Sequence, residues 1–223
     1  MNPVRPEFVP DPSLSREQME ALQHNIAEAA VFADDLDFDP TDVRIGRHAG
    51  QQTLTDDESP VIVGVDQAFL DDRAVSAIVA LRDGEVIEEV TAVEPVEIPY
   101  IPGLLSFREG NAILAAFERL SVTPALAVVD GSGRIHFREA GLATHIGVTL
   151  DLPAVGVAKN LLCGTPARSI PDRMPEGERI AIEADSEVTA PDGTVVGYAF
   201  QSRQYDSGST SINPLYVSPG HRI

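Results

Sequence analysis

Two short runs of branched apolar residues end in an acid. Val61-Ile62-Val63-Gly64-Val65 leads into Asp66, and Ala125-Leu126-Ala127-Val128-Val129 leads into Asp130. A strand buried on both faces reads as such a continuous run. A carboxylate cannot stay inside one without compensation, so each Asp belongs where its strand emerges from the sheet. In α/β sheets the carboxyl ends of parallel strands are where ligands bind. If the two ends are neighbours, two carboxylates converge, and a hard divalent cation is the natural way to hold them together. The bland alternative makes each Asp a turn residue, and Asp130-Gly131 is a good turn dipeptide by itself.

Glu109 also has two readings. Ser106-Phe107-Arg108-Glu109 matches a capping box, in which Glu109 would bond back to the helix start. The other reading turns Glu109 toward Asp66 and Asp130 as a third metal ligand. Spacing alone favours the cap. His136 lies in a Gly-rich loop just after Asp130, where its imidazole could orient water or shuttle a proton; a surface histidine would look the same. His145 fits a packing role. Lys159 closes a third apolar run, 154–158, and is the only lysine among sixteen basic residues. A compact ammonium meets a phosphate oxygen where a planar guanidinium does not fit. The single cysteine, Cys163, has no nucleophile motif around it and reads as a small packed residue. No Ser-His-Asp pattern, phosphate-binding Gly loop or Cys/His zinc spacing is present.

The elements that must position these residues follow from periodicity. Residues 1–14, with four prolines, read as a loose N-terminal tail, and 15–223 as one catalytic domain. Ser15 caps a helix with Met19, Leu22, Ile26 and Ala30 on one face. Residues 34–42 form an acidic break, and 51–60 a second polar stretch. Strands at 74–81 and 85–93 are joined by Asp83-Gly84, a strong hairpin signal. Ser106 opens a helix carrying Ile113, Leu114, Phe117 and Leu120; 138–150 reads as another. Residues 164–178 are a Pro/Gly-rich excursion, and 179–188, 195–202 and 215–218 late strands. Antiparallel strands followed by alternating helix and strand predict an α/β fold, a ribonuclease H-like mixed β-sheet flanked by helices.

Composition pulls the other way. The formal net charge is −19, whereas phosphate affinity comes from clustered Lys and Arg. An acid-rich, lysine-poor chain does suit a cytoplasm at molar salt, where the Debye length is about 3 Å. Alone, composition favours an acidic protein without polyanionic partners. No stretch approaches the roughly 18 apolar residues of a membrane span, and the polar start is no signal peptide. One cysteine and no such segment predict a cytoplasmic protein with no membrane association.

Taken together, the motifs resemble the endonuclease V family. They are Gly64-Val65-Asp66; Pro99-Tyr100-Ile101-Pro102-Gly103-Leu104-Leu105-Ser106-Phe107-Arg108-Glu109; Asp130-Gly131-Ser132-Gly133-Arg134-Ile135-His136; Gly141-Leu142-Ala143-Thr144-His145-Ile146-Gly147; Pro153-Ala154-Val155-Gly156-Val157-Ala158-Lys159; and Tyr216-Val217-Ser218-Pro219-Gly220-His221-Arg222-Ile223. The resemblance implies a monomeric DNA repair endonuclease. It would hydrolyse the second phosphodiester bond 3′ to deoxyinosine in DNA, and in RNA too on an open reading, with Mg2+ or Mn2+. It makes Asp66, Glu109 and Asp130 the metal ligands, His136 the active-site histidine, and Lys159 the lysine at the scissile phosphate. The loop Pro99, Tyr100, Ile101, Pro102, Gly103 is similar to the family's wedge, with Tyr100 and Ile101 parting the strands. The lesion base would flip into a pocket lined by Gly103, Gly131 and Gly133.

Two departures stand out. His136-Phe137-Arg138 replaces the family's His-Pro-Arg, a change expected to loosen the loop. The sequence stops at Ile223, whereas family members continue with a helix carrying a further acid near the metal. A non-catalytic nucleic-acid-binding relative, or a ribonuclease H-like nuclease of other substrate preference, are the alternatives. Intact Asp66, Glu109, Asp130 and Lys159 speak against the first, and the wedge against the second.

Overall fold

The computed structural model describes residues 1–44, 59–204 and 213–223, so most of the polar stretch 51–60 lies outside the described residues. The helix α1 (Arg16–Ala29) begins at a full capping box: Ser15 Oγ accepts from Gln18 N, and Gln18 Oε1 from Ser15 N. Strands β1 (Ile62–Leu70), β2 (Arg73–Arg82) and β3 (Glu85–Pro95) form an antiparallel meander. The β2–β3 hairpin turns through Asp83 and Gly84, both at positive φ (53° and 77°), the geometry that favours this dipeptide in two-residue turns.

Helix α2 (Leu105–Arg119) precedes β4 (Leu126–Asp130), and α3 (Leu142–Leu150) precedes β5 (Ala154–Ala158). Short strands β6 (Thr165–Pro166), β7 (Arg179–Glu183), β8 (Val195–Phe200) and β9 (Leu215–His221) complete one sheet, in the order β3-β2-β1-β4-β5-β9-β8-β7-β6. Its centre, β1-β4-β5, is parallel; every other pairing is antiparallel. This is the mixed ribonuclease H-like sheet anticipated from the order of periodicities.

The core lies between one face of that sheet and α2 and α3. Val63, Val65, Ile78, Ala127 and Val129 face Ile113, Phe117, Leu142 and Ile146, all buried. Burying each of the larger ones stabilises the fold by roughly 1.5–3 kcal/mol. Alternation along β1 and β4 therefore turns Gly64, Asp66, Val128 and Asp130 to the opposite face.

Helix α3 starts at Leu142, four residues later than the pattern predicted. Glu139 sits at φ 52°, outside the right-handed helical region. A Cβ on Gly141 would stand 2.3 Å from the Ser132 carbonyl oxygen, so the chain passes there too closely for any side chain. Of the segment read as a loose tail, Val4 N and Arg5 N donate to Thr149 O, and the amino group of Met1 donates to Phe117 O. His145 Nε2 donates to Phe8 O at 2.7 Å. These bonds fasten residues 1–8 to α2 and α3. Among the described residues no helix is long and apolar enough to cross a membrane.

Candidate active site

The parallel register Val65↔Val129 sets Asp66 and Asp130 side by side, one residue beyond it. Asp130 ends β4, but Asp66 does not end its strand: it lies in the middle of β1, where the parallel pairing with β4 stops and the antiparallel pairing with β2 runs on to Leu70. Val65 and Val129 are buried, and the two acids beyond them are exposed. Glu109 comes near from α2, close enough for their charges to act on it. The cap reading fails: α2 begins at Leu105, its cap position is Leu104, and no side chain caps it. Ser106 lies one residue inside the helix, with a buried hydroxyl that has no partner among the described residues. Glu109 is buried in the first turns of α2.

The three carboxyl groups act on one another. Glu109 is pushed up to about 7, by burial first and also by the charges of Asp130 and Asp66, against the lowering by Arg108. Asp130 is raised too, by burial and by Asp66, with which it shares a hydrogen bond, while Lys159 pulls it down. Among the described residues no three His, Cys, Asp or Glu side chains form a group that could hold a metal ion as they stand. Asp66 and Asp130 are nevertheless near enough to Glu109 for their charges to act on it. Neighbouring acids of this kind repel one another, and three carboxylates are the oxygen donors that a hard divalent cation takes.

Lys159 closes β5 beside them, with Nζ 3.9 Å from Asp130 Oδ2 and its side chain largely exposed. Two clefts meet here. One, of about 310 Å³, is lined by Gln23, Tyr100, Gly103, Ser106, Gly131 and His136, among others. The second, of about 520 Å³, runs across Gly64, Asp66, Ala77, Val79, Val128 and Val157 on the sheet face away from α2 and α3. Asp130 and Lys159 border both. The first falls in the roughly 300–1,000 Å³ range of small-ligand pockets.

Several expectations about the lining change. Tyr100 is 64 % exposed at the cleft. Ile101 instead packs inward against Met19, Leu104 and Phe107, because the apolar side of α1 offers it a dry contact. Gly103 and Gly131 line the cleft, both at positive φ (78° and 151°). Gly133 does not. Its N–H donates to Ser218 Oγ at 2.8 Å, and a Cβ there would fall 2.2 Å from Pro219 O, so it packs behind against β9 while Ser132 takes the lining position.

His136 is buried, accepts from Arg138 N at Nδ1 (3.2 Å), and donates through Nε2 to Gly103 O (3.0 Å). Burial holds it down at about 4, hence neutral. With both ring nitrogens committed to backbone, it ties the wedge loop to the loop after β4 and has no nitrogen free for proton transfer. Phe137 does not loosen that loop: its ring fills the space beside Gly103, and its carbonyl accepts from Thr189 N. Cys163 is buried and pushed up to about 12 by burial, as a packed residue is. Sequence reading missed Gln23 and Arg108. Gln23 lies on α1 between Met19 and Ile26 at helical spacing, a polar residue inside an apolar stripe, which is the signal that could have found it. Arg108 lies 4.5 Å over the Phe69 ring and bonds Ile98 O just before the wedge.

A parallel β1-β4-β5 centre with one acid ending β4 and another beside it on β1 defines a nuclease of the ribonuclease H-like class. The model of the family described as Endonuclease V matches residues 46–223. An endonuclease V from Haloarcula marismortui is 66 % identical over 232 residues, covering 100 % of this chain and 86 % of that one. The crystal structure of endonuclease V from Streptomyces avermitilis superposes with a TM-score of 0.71 at 30 % identity, covering 94 % of this chain and 78 % of that one. The fold is also that of Ciona intestinalis endonuclease V in complex with a 24mer DNA containing an inosine followed by a ribo-adenosine (TM-score 0.65, 19 % identity, 92 % and 83 % covered). The chain belongs to the endonuclease V family.

Proposed function

We propose that this protein is a Mg2+-dependent endonuclease, with Mn2+ able to substitute, that cuts DNA at the second phosphodiester 3′ to deoxyinosine. One observation carries the metal assignment: Asp66 and Asp130 sit side by side on neighbouring parallel strands, and together with burial they raise Glu109 to about 7. A divalent ion held by Asp66, Glu109 and Asp130 supplies Lewis-acid stabilisation of charge on a phosphate.

The chain's own residues supply the rest. Lys159, at the border of both clefts, offers its ammonium to a phosphate oxygen and offsets charge that builds there. Tyr100 presents an exposed ring to unstack a base step. The 310 Å³ cleft beside it receives the displaced base, with Gly103 and Gly131 keeping its walls free of side chains. The strand then runs from that cleft past Asp130 and Lys159, which separates the base recognised from the bond cut. We further assign the protein to the cytoplasm as a monomer, with cleavage at inosine in RNA left open.

The test is incubation of an end-labelled inosine duplex with the protein, with Mg2+ and with EDTA, beside Asp130→Ala. Cleavage by the wild type with Mg2+ alone, and none by the variant, is expected. Equal product from both proteins would exclude the metal assignment.

A further inference from the structure

The side chain of Gln23 is 1 % exposed and spans three segments. Its Nε2 donates to Gly103 O at 2.8 Å and to Ala140 O at 3.3 Å, while its Oε1 accepts from Arg138 Nε at 2.8 Å. His136 Nε2 also bonds Gly103 O, at 3.0 Å. Gln23, Gly103, His136 and Ala140 all line the 310 Å³ cleft. Two carbonyl acceptors at this cleft are therefore already taken by protein donors. Asp130 and Asn160 carry acceptor oxygens elsewhere in the lining, and beside the two occupied carbonyls stand groups able to donate. Leu105 and Ser106 line the same cleft at the uncapped start of α2, where backbone N–H groups have no intrahelical partner, and the Ser106 hydroxyl is buried and unpartnered.

With those two carbonyls occupied and donors open beside them, this corner of the cleft suits a base edge that presents an oxygen. It penalises one that presents an amino group, because that donor would be buried unpaired. Hypoxanthine differs from adenine in this way, carrying an oxygen where adenine carries its amino group. We propose that Gln23 is a specificity-determining positioning residue: by occupying the Gly103 and Ala140 carbonyls it sets the preference of the cleft for an oxo base over an amino base. The inference rests on the deoxyinosine reading above. It assigns base discrimination in part to α1, outside the residues matched by the family model.

Two substitutions remove the donors and keep the volume. Gln23→Met loses every hydrogen bond; Gln23→Glu keeps an acceptor for Arg138 and loses only the donations to the carbonyls. For each protein kcat and KM are measured on duplexes that differ by inosine or adenine at one position. The ratio of the two kcat/KM values does not depend on the fraction of enzyme folded, so a destabilised variant still gives an answer. Both variants are expected to lower the inosine-over-adenine ratio about tenfold or more, ~1.4 kcal/mol. They should do so through gained cleavage at adenine. A ratio within twofold of wild type in both variants overturns the proposal, as does a fall that comes only from lost inosine cleavage. A wild type inactive on inosine duplex would overturn the deoxyinosine reading and this inference with it.

Discussion

Glu109 occupies a helix start where a neutral amide would be more stable. Its carboxyl is buried beside two other acids and pushed up to about 7 from 4.5, and each pKa unit corresponds to about 1.4 kcal/mol. In metal-free protein at pH 8, ionised Glu109 therefore costs on the order of 3 kcal/mol. Glu109→Gln should raise the thermal midpoint in EDTA by roughly 6–12 °C and reduce cleavage in Mg2+ by more than about 100-fold. A calorimetric midpoint that falls in EDTA would show that Glu109 serves the fold. At this scale the sequence was informative where residue type broke sharply with its surroundings: acids ending apolar runs, or one lysine among arginines. It misled at Glu109, because a capping box three residues from Ser106 satisfied the same spacing. Gln23 escaped because a polar residue within an apolar stripe reads as an interruption until the partner backbone is known.

Helix α3 is buried along its whole length, and this burial makes the helix and its neighbours sensitive to acid. His145, in α3, and His136, in the loop before it, are each held down at about 4 by burial, against 6.5 when exposed. Between these values the unfolded chain takes up protons that the folded chain refuses. Stability is thus full above about pH 6.5 and is lost as pH falls toward 4, by on the order of 2–3 kcal/mol per histidine. Glu109 acts in the opposite direction over much of the same window, so a single variant isolates the effect. His145→Gln retains a donor for Phe8 O and cannot titrate. Denaturant unfolding at pH 7.5 and 4.5 should show its stability falling less than that of wild type by about that amount, and an equal fall would count against the assignment. Elements were legible where local chemistry is self-sufficient, as in the Asp83-Gly84 hairpin and the Ser15 cap. The start of α3 was not, because steric exclusion at Gly141 comes from Ser132, nine residues earlier in the chain. The bonding of residues 1–8 to α2 and α3 was likewise invisible, since proline-rich composition does not reveal a docking surface.

On the scale of the whole molecule, a nuclease with net charge −19 must approach a polyanion. At 0.1 M salt the Debye length is about 10 Å and the acidic surface repels DNA well before contact; at 1 M it is about 3 Å, and only groups at contact distance still act. The attractive contacts here are of that short-range kind: Lys159 beside Asp130, the donors of the cleft, and the exposed ring of Tyr100. Raising salt therefore removes repulsion and spares attraction, the inverse of a basic DNA binder, which loses roughly 10³–10⁵ in affinity between 50 and 200 mM. We expect kcat/KM on the inosine duplex at 2 M KCl to equal or exceed its value at 0.1 M. The protein's midpoint should rise over the same range, because self-repulsion among surface acids is screened too. Measuring both separates the two effects: a midpoint that rises while kcat/KM collapses would mean that binding depends on long-range attraction after all.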